Sequence, residues 1–427
     1  MKILIFYPHN PATPQHGSHL RALQQIRELG EVASIFLASI ENIFDAPWPV
    51  DLRNVRKKLG VAEIAIFERS PLGWVDKFRI YRFASKVASF IVKKRPWGWQ
   101  FMDLFRKFRE HRLKVWFAGL VREHDADIVV INYTCWSYLA STINADIAKV
   151  IELHDLLPIN EYLLDLVRDR LMISKGIVGL RENKADVGYI ERLSDLPLHV
   201  RNEMAACFDM LGGFDLFWSI ADRETSLMHE IDGQLRIDTI RPKIDTPELE
   251  CVAGPNALMP IGPNMFNTYS ILKFFRNVEP SIDYPRDFVI EMTGRSWCDL
   301  KYQVPKNVRY LGIMENYVEK LCSSRFIIVP TAVGTGQQMK IFEALSYGIP
   351  VVCYRSAVPQ FMRSQQAGIL CVDDDATFAA AVSRLWRDGD FYTSLAINAK
   401  RFKDHSKSLG YKKSVERLYR SRYPDAS

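Results

Sequence analysis

Short apolar runs recur along this chain, each closed by Gly, Pro or a polar residue and most followed by a longer stretch with helical spacing. Ile3–Tyr7, Val32–Leu37, Asp127–Asn132, Lys149–Asp155 and Asp215–Ala221 read as strands of a first half. Phe288–Met292, Val308–Gly312, Phe326–Val329 and Gly368–Val372 read as strands of a second. Runs that are apolar throughout, rather than alternating, suit strands buried on both faces of a parallel sheet. Helical periodicity between them, over Ser18–Leu29, through Phe274–Phe275, over Thr377–Arg387 and over Tyr411–Arg422, predicts an α/β class. Residues 156–210 read as mainly helical, Asp215–Ala221 as the last strand of its half, and Gly233–Ala253 as a loose stretch.

The densest pattern lies at residues 330–351. Phe326–Val329 stops at Pro330, and Gly334-Thr335-Gly336 precedes a helix that carries Gln337, Lys340 and Glu343 on one face. Glycines there let backbone N–H groups approach an anion at the helix start. A Lys one turn in reaches phosphate oxygens, and a carboxylate accepts from vicinal hydroxyls. Phosphate plus diol means a nucleotide or nucleotide sugar; the plainer alternative is a Lys340–Glu343 surface pair beside an ordinary turn. The stretch lacks the Gly-Lys-Ser/Thr of a P-loop, and Met339 stands where the dinucleotide motif wants a third glycine.

Gly334-x-Gly336-x-x-x-Lys340-x-x-Glu343-Ala344-x-x-x-Gly348-x-Pro350-Val351-Val352 resembles the signature of group-one glycosyltransferases of the GT-B fold, a type common in bacterial cell-surface polysaccharide synthesis. The resemblance implies two Rossmann-like domains facing across a cleft. Residues 1–252 would bind the acceptor and 253–407 the donor, with a final helix in 408–427 crossing back. It implies a nucleoside diphosphate sugar as donor, a glycan or lipid-linked acceptor, a retaining outcome and no metal or other cofactor. Donor contacts would come from Gly17, Arg295, Gly334, Thr335, Gly336, Gln337, Lys340 and Glu343, and the catalytic candidates are His154, Asp155 and Lys340. Glu203 falls near a recurrent family Glu, with a helix-surface role equally open. The chain departs from the pattern in three places. Thr335 stands where the family has a second Glu, the loop Gly262–Asn267 has neither Arg nor Lys, and Ala257 replaces a junction glycine. A nucleotide-sugar epimerase, a non-catalytic nucleotide-binding scaffold and a nucleic-acid glycosyltransferase stand as alternatives.

At 427 residues, 48% hydrophobic and 25% charged, the chain has room for two ordinary globular domains. The first apolar run is too short for a signal sequence, and no run approaches the length of a membrane span. Seven cysteines without a Cys-x-x-Cys pair suggest free thiols in a reducing cytosol. The formal charge of +6 is uneven: residues 51–123 carry 18 Lys and Arg against 7 Asp and Glu, interleaved with aromatics. Such a segment fits a solvated helix face or an anionic membrane surface, with nucleic acid less well supported. The expected location is cytoplasmic, peripheral on the inner face of the plasma membrane. Asp373-Asp374-Asp375 precedes a helix and reads as its N-cap rather than as a metal site.

Overall fold

The computed structural model describes residues 1–13, 17–41, 47–68, 111–174, 177–181, 186–243, 251–285, 287–295, 304–334, 336–402 and 410–424. The first half of the chain forms a parallel sheet from β1 (Lys2–Phe6), β2 (Ser34–Ile40), β3 (Glu63–Phe67), β4 (Ile128–Asn132) and β5 (Ala148–Glu152). A short pair, β6 (Leu171–Ser174) and β7 (Ile177–Leu180), runs antiparallel outside it. β8 (Leu216–Ser219) and β9 (Ile237–Thr239) complete the sheet in the order β3-β2-β1-β4-β5-β8-β9. In the second half β10 (Ala257–Ile261), β11 (Ile290–Gly294), β12 (Val308–Gly312), β13 (Ile327–Val329), β14 (Val351–Tyr354) and β15 (Ile369–Val372) order as β12-β11-β10-β13-β14-β15. Each sheet starts at its middle, winds outward, returns and winds the other way. This is the doubly wound arrangement that places ligands at the carboxyl ends of the strands beside the reversal. The two Rossmann-like halves expected from the resemblance are thus present.

The apolar runs are where they are because both sheet faces are covered. All five residues of β4 and all five of β10 are buried. The helix Gly17–Gly30 covers one face of the first sheet and His111–Glu123 the other, through Leu113, Phe117 and Leu120. The helix Tyr411–Arg422 returns to the first half, as expected. Its Ser414 hydroxyl accepts from Trp218 Nε1 at 2.7 Å and donates to Asp238, which also pairs with Arg417. Arg21 anchors the same corner. Its guanidinium pairs with Glu152 at 2.7 Å, donates to the Ile240 carbonyl at 2.7 Å, and lies over the Tyr411 ring.

Some expectations need correction. Asp215–Ala221 is not the last strand of its half: β9 follows, three residues long and within the stretch read as loose. The mainly helical reading of 156–210 missed β6 and β7, although the helices Leu157–Arg170 and Leu198–Asp209 flank them. β3 lies within the basic segment and was also unforeseen. The cysteines are not all free. Cys251 and Cys322 form a disulfide with Cα atoms 4.4 Å apart, because Gly254 N–H donates to the Ser323 carbonyl and draws residues 251–254 along the end of the helix Tyr317–Cys322. Most of the basic segment, residues 69–110, lies outside the described residues. Its described parts do not make one surface: the helix Arg53–Leu59 packs on the face of the sheet carrying Gly17–Gly30, and His111–Glu123 on the opposite face.

Candidate functional site

A cleft of about 1060 Å³ opens where the carboxyl ends of the two sheets meet. Four segments of the second half form its floor, at the carboxyl ends of β10 (Gly262–Asn267), β11 (Thr293–Gly294), β12 (Ile313–Met314) and β13 (Thr331, Val333, Gly334 and Gly336), and it ends at the helix Met339–Ser346. Lys340 sits one residue into that helix, recessed in the cleft. Its ammonium donates to Asn267 Oδ1 at 2.9 Å, and no carboxylate of the described residues is in ion-pair contact with it. Desolvation therefore goes uncompensated, and the Lys340 pKa falls to about 8. Asn267 is itself fixed, since Asn264 caps the helix Met265–Lys273 by accepting from the Asn267 N–H at 2.8 Å. One turn beyond Lys340, the Glu343 carboxylate accepts from the Tyr317 hydroxyl at 3.1 Å. Burial raises the Glu343 pKa, and the Tyr317 bond works against that shift. The site thus joins a cation without an anion to a carboxylate with open acceptor capacity.

The glycine loop closes the end of the cleft nearest the first half. Gly334 has φ 154°, a conformation side chains rarely adopt, and a Cβ at Gly336 would stand 3.3 Å from Asp155 Oδ1. On the other side, a Cβ at Gly17 would stand 3.0 Å from Met339 Cγ. Glycines from both halves thus let the two walls come together. Gln337 lines the cleft, and neither its amide nitrogen nor its amide oxygen has a hydrogen-bond partner among the described residues. The first half adds Gly17, Leu20, Asp155, Asn160 and Leu164.

The residues singled out in the sequence do not all converge. Gly17, Asp155, Gly334, Gly336, Gln337, Lys340 and Glu343 line this one cleft. Thr335 lies outside the described residues. Arg295 is exposed and does not line the cleft. His154 sits behind the lining. Its Nε2 is 3.0 Å from Asn132 Oδ1, and its ring stacks on Tyr133 with centroids 4.0 Å apart. Both His154 (φ 61°) and Tyr133 (φ 68°) occupy the left-handed region without being glycine. That strain at the carboxyl ends of β4 and β5 turns the His154 ring inward and leaves the next residue, Asp155, at the cleft. Behind Asp155 the Glu224 carboxyl is 1% exposed, and burial raises its pKa well above the ordinary carboxylate range, with the Asp155 charge adding to the effect.

Sequence reasoning missed the parts played by Asn267 and Tyr317. Asn267 lies 73 residues from Lys340, and its only sequence signal was a loop lacking the expected Arg and Lys. Among the described residues no group of three or more His, Cys, Asp or Glu is arranged to hold a metal ion. Asp374 caps the helix Asp375–Arg387, accepting from the Thr377 N–H at 2.7 Å, while Asp373 pairs with Arg355 and Asp375 takes Lys273, Tyr354 and Asn277.

Residues 264–388 match the family model described as "Glycosyl transferases group 1". No curated protein matches the chain by sequence. Among solved structures, sucrose-phosphate synthase from Thermosynechococcus elongatus superposes with a TM-score of 0.63 at 12% identity, covering 100% of both chains. HepE from Anabaena, solved in complex with UDP, gives 0.60 at 11% identity, covering 99% of this chain and 100% of its own. WaaG, described as a glycosyltransferase involved in lipopolysaccharide biosynthesis, gives 0.55 at 10% identity, covering 97% of this chain and 99% of its own. At these identities the structural likeness speaks for the fold.

Proposed function

We propose that this chain, which carries a group 1 glycosyl transferase domain at residues 264–388 on a two-domain glycosyltransferase fold, moves a sugar from a nucleoside diphosphate donor to a glycan or lipid-linked acceptor of the cell surface, with retention at the transferred carbon. The observation that carries the reading is the meeting of the Lys340 ammonium, the Glu343 carboxylate and the glycines Gly334 and Gly336 in one cleft closed by the other half of the molecule. Bond breaking at the sugar leaves negative charge on the departing diphosphate, and donors fixed in a recessed site stabilise that charge without reorganising. Lys340 supplies the charge and the loop amides supply oriented N–H groups. Glu343, held by Tyr317, accepts the ribose hydroxyls. Asp155 stands across the loop from Gly336, where an incoming acceptor hydroxyl would meet the sugar. In the retaining course the leaving phosphate takes the acceptor proton. His154, turned toward Asn132, then acts by holding the backbone that presents Asp155.

UDP is the first nucleotide to test, since HepE has been solved with UDP and with UDP-glucose. A thermal-shift series with UDP, GDP, dTDP, ADP, CMP and their sugar conjugates, in EDTA throughout, tests the donor and the metal independence together. A ligand at 100 times its dissociation constant stabilises by about 2.7 kcal/mol. A selective shift with one diphosphate is the expected result, and no shift with any of them removes the reading. A non-catalytic nucleotide binder draws support from Thr335 at the family's second Glu position; it would give the same shift with no release of UDP from UDP-sugar in the presence of acceptor.

No helix among the described residues is long and apolar enough to cross a membrane. A cytoplasmic, peripheral location is proposed from the basic charge of residues 51–123. Co-sedimentation with anionic vesicles that weakens with salt is the expected outcome. Equal recovery with neutral vesicles would remove it.

A further inference from the structure

A second, smaller pocket of about 140 Å³ lies beyond Gly336 and Gln337, which border both it and the large cleft. Arg223, Glu191 and Asp222 come to it from the first half of the chain, and Arg363 comes from the second. The Arg223 guanidinium is held rigidly. It lies over the Tyr189 ring at 4.4 Å and donates from Nη2 to Glu191 Oε1 at 2.8 Å and to the Ser356 carbonyl at 2.6 Å. Arg363 is set by its Nε donating to the Val358 carbonyl at 3.0 Å, with Nη2 4.0 Å from the same Glu191 oxygen. One carboxylate therefore serves two guanidinium groups. The other, Asp222, is taken by Arg241 at 3.0 Å. Arg223, Arg363 and Arg241 against Glu191 and Asp222 leave one positive charge over.

Residues that border the pocket also carry polar atoms without partners among the described residues. Arg223 Nε and both ends of the Gln337 amide are buried with no hydrogen-bond partner among the described residues. A buried polar group left unpaired costs about 1–3 kcal/mol, so two donors and one acceptor without partners on residues that border an empty volume favour an occupant that draws them into hydrogen bonds. Two arginines and an amide suit an oxyanion, which accepts from all of them.

We propose that this pocket is a second substrate subsite, taking a small oxyanion, carboxylate or phosphate, carried by one of the two sugars that meet at Gly336. The idea rests on the donor reading only for which molecules bring the anion; the anion site stands on Arg223, Arg363 and Gln337 alone. On binding, the anion shares the two guanidinium groups with Glu191, whose side chain is 51% exposed and free to move outward. The pocket draws on both halves of the chain, so its occupant also holds the cleft closed.

Inorganic phosphate is the probe, titrated into the whole protein and into two variants, Lys340→Ala and Arg363→Gln, with folding checked by the unfolding midpoint. Two classes of phosphate site are expected in the wild type. One is lost in Lys340→Ala and is displaced by UDP. The other persists in Lys340→Ala, is insensitive to UDP, and weakens at least tenfold in Arg363→Gln. A single class abolished by Lys340→Ala, or a second class untouched by Arg363→Gln, overturns the subsite and leaves water as the pocket's occupant. Failure of UDP to displace the first class counts against the donor reading and leaves the second class to be judged alone. The source of the anion follows from two further arms. Preference for UDP-glucuronate over UDP-glucose that Arg363→Gln removes places it on the transferred sugar. Preference for glucose 6-phosphate over glucose in the presence of UDP, removed by the same variant, places it on the acceptor.

Discussion

Arg21 and Lys340 are both cations withdrawn from solvent, one in each half of the molecule, and their surroundings are opposite. Arg21 is 2% exposed and meets Glu152, two carbonyls and the face of Tyr411. Burial is the largest influence and works to lower the Arg21 pKa, but the charges of Glu152, Tyr411 and Glu224 with the Glu152 hydrogen bond together outweigh it and raise it. Among the described residues Lys340 has only the neutral Asn267 amide, and burial lowers its pKa to about 8. A charge that serves the fold is completed by the protein, while a charge kept for a ligand is left incomplete. The difference between the two environments is what marks Lys340, and not Arg21, as the candidate for a ligand contact.

The comparison breaks or sharpens most clearly on stability. Arg21→Met leaves Glu152 buried without its partner, and the expected loss is about 3–5 kcal/mol in urea unfolding. Lys340→Met removes an uncompensated charge, so the same measurement should give a midpoint equal to or above the wild type. Comparable losses in the two variants would erase the contrast.

Lys340 is next in size. Lys340→Ala should weaken UDP by about 1.5–3 kcal/mol, the worth of a hydrogen bond to a charged group, measured by calorimetric titration. The sign of the pH dependence follows from the lowered pKa. Between about 8 and the ordinary 10.5 the unfolded chain holds a proton that the native Lys340 lacks, so this residue makes the free protein more stable as pH rises through that window. Phosphate requires the ammonium, so UDP affinity should fall as pH rises past 8, with proton uptake on binding seen in buffers of differing ionisation enthalpy. Affinity that is flat from pH 7 to 9.5 would separate Lys340 from the phosphate.

The smallest effect belongs to Tyr317→Phe. Glu343 loses its one side-chain donor, and UDP should bind about two- to tenfold more weakly, near the 0.5–1.5 kcal/mol of an ordinary hydrogen bond. An unchanged affinity would mean that Glu343 needs no positioning.

The C-terminal wall was the more legible of the two. Its part from Gly334 to Glu343 is contiguous in sequence, and local chemistry there points to an anion, whereas Asn267 and Tyr317 join it from distant loops. The buried strands were legible for a similar reason, since an all-apolar run such as Ile128–Ile131 has little else to form. β9 was not, because Ile237-Asp238-Thr239 gains its strand character only by lying beside β8. β3 is apolar after Glu63 but is enclosed by the charged residues that dominated the reading of its region. His154 shows the limit most clearly. The sequence placed it at a strand's ligand edge, which is correct, but its positive φ, and hence the direction of its ring, depends on Tyr133 from the neighbouring strand.

The returning helix has a consequence for how the protein is made. Trp218, Asp238 and Arg21 find Ser414, Arg417 and Tyr411 only when residues 411–417 have been synthesised. The second half, from β10 through β15, is contiguous and needs nothing that follows it to close its sheet. On the ribosome, therefore, the half synthesised last can be finished first, and the half synthesised first must wait with one corner of its core uncovered. A ribosome that stops before residue 411 would release a complete second sheet joined to a first sheet whose buried Arg21 and Trp218 lack their cover, a natural target for quality control.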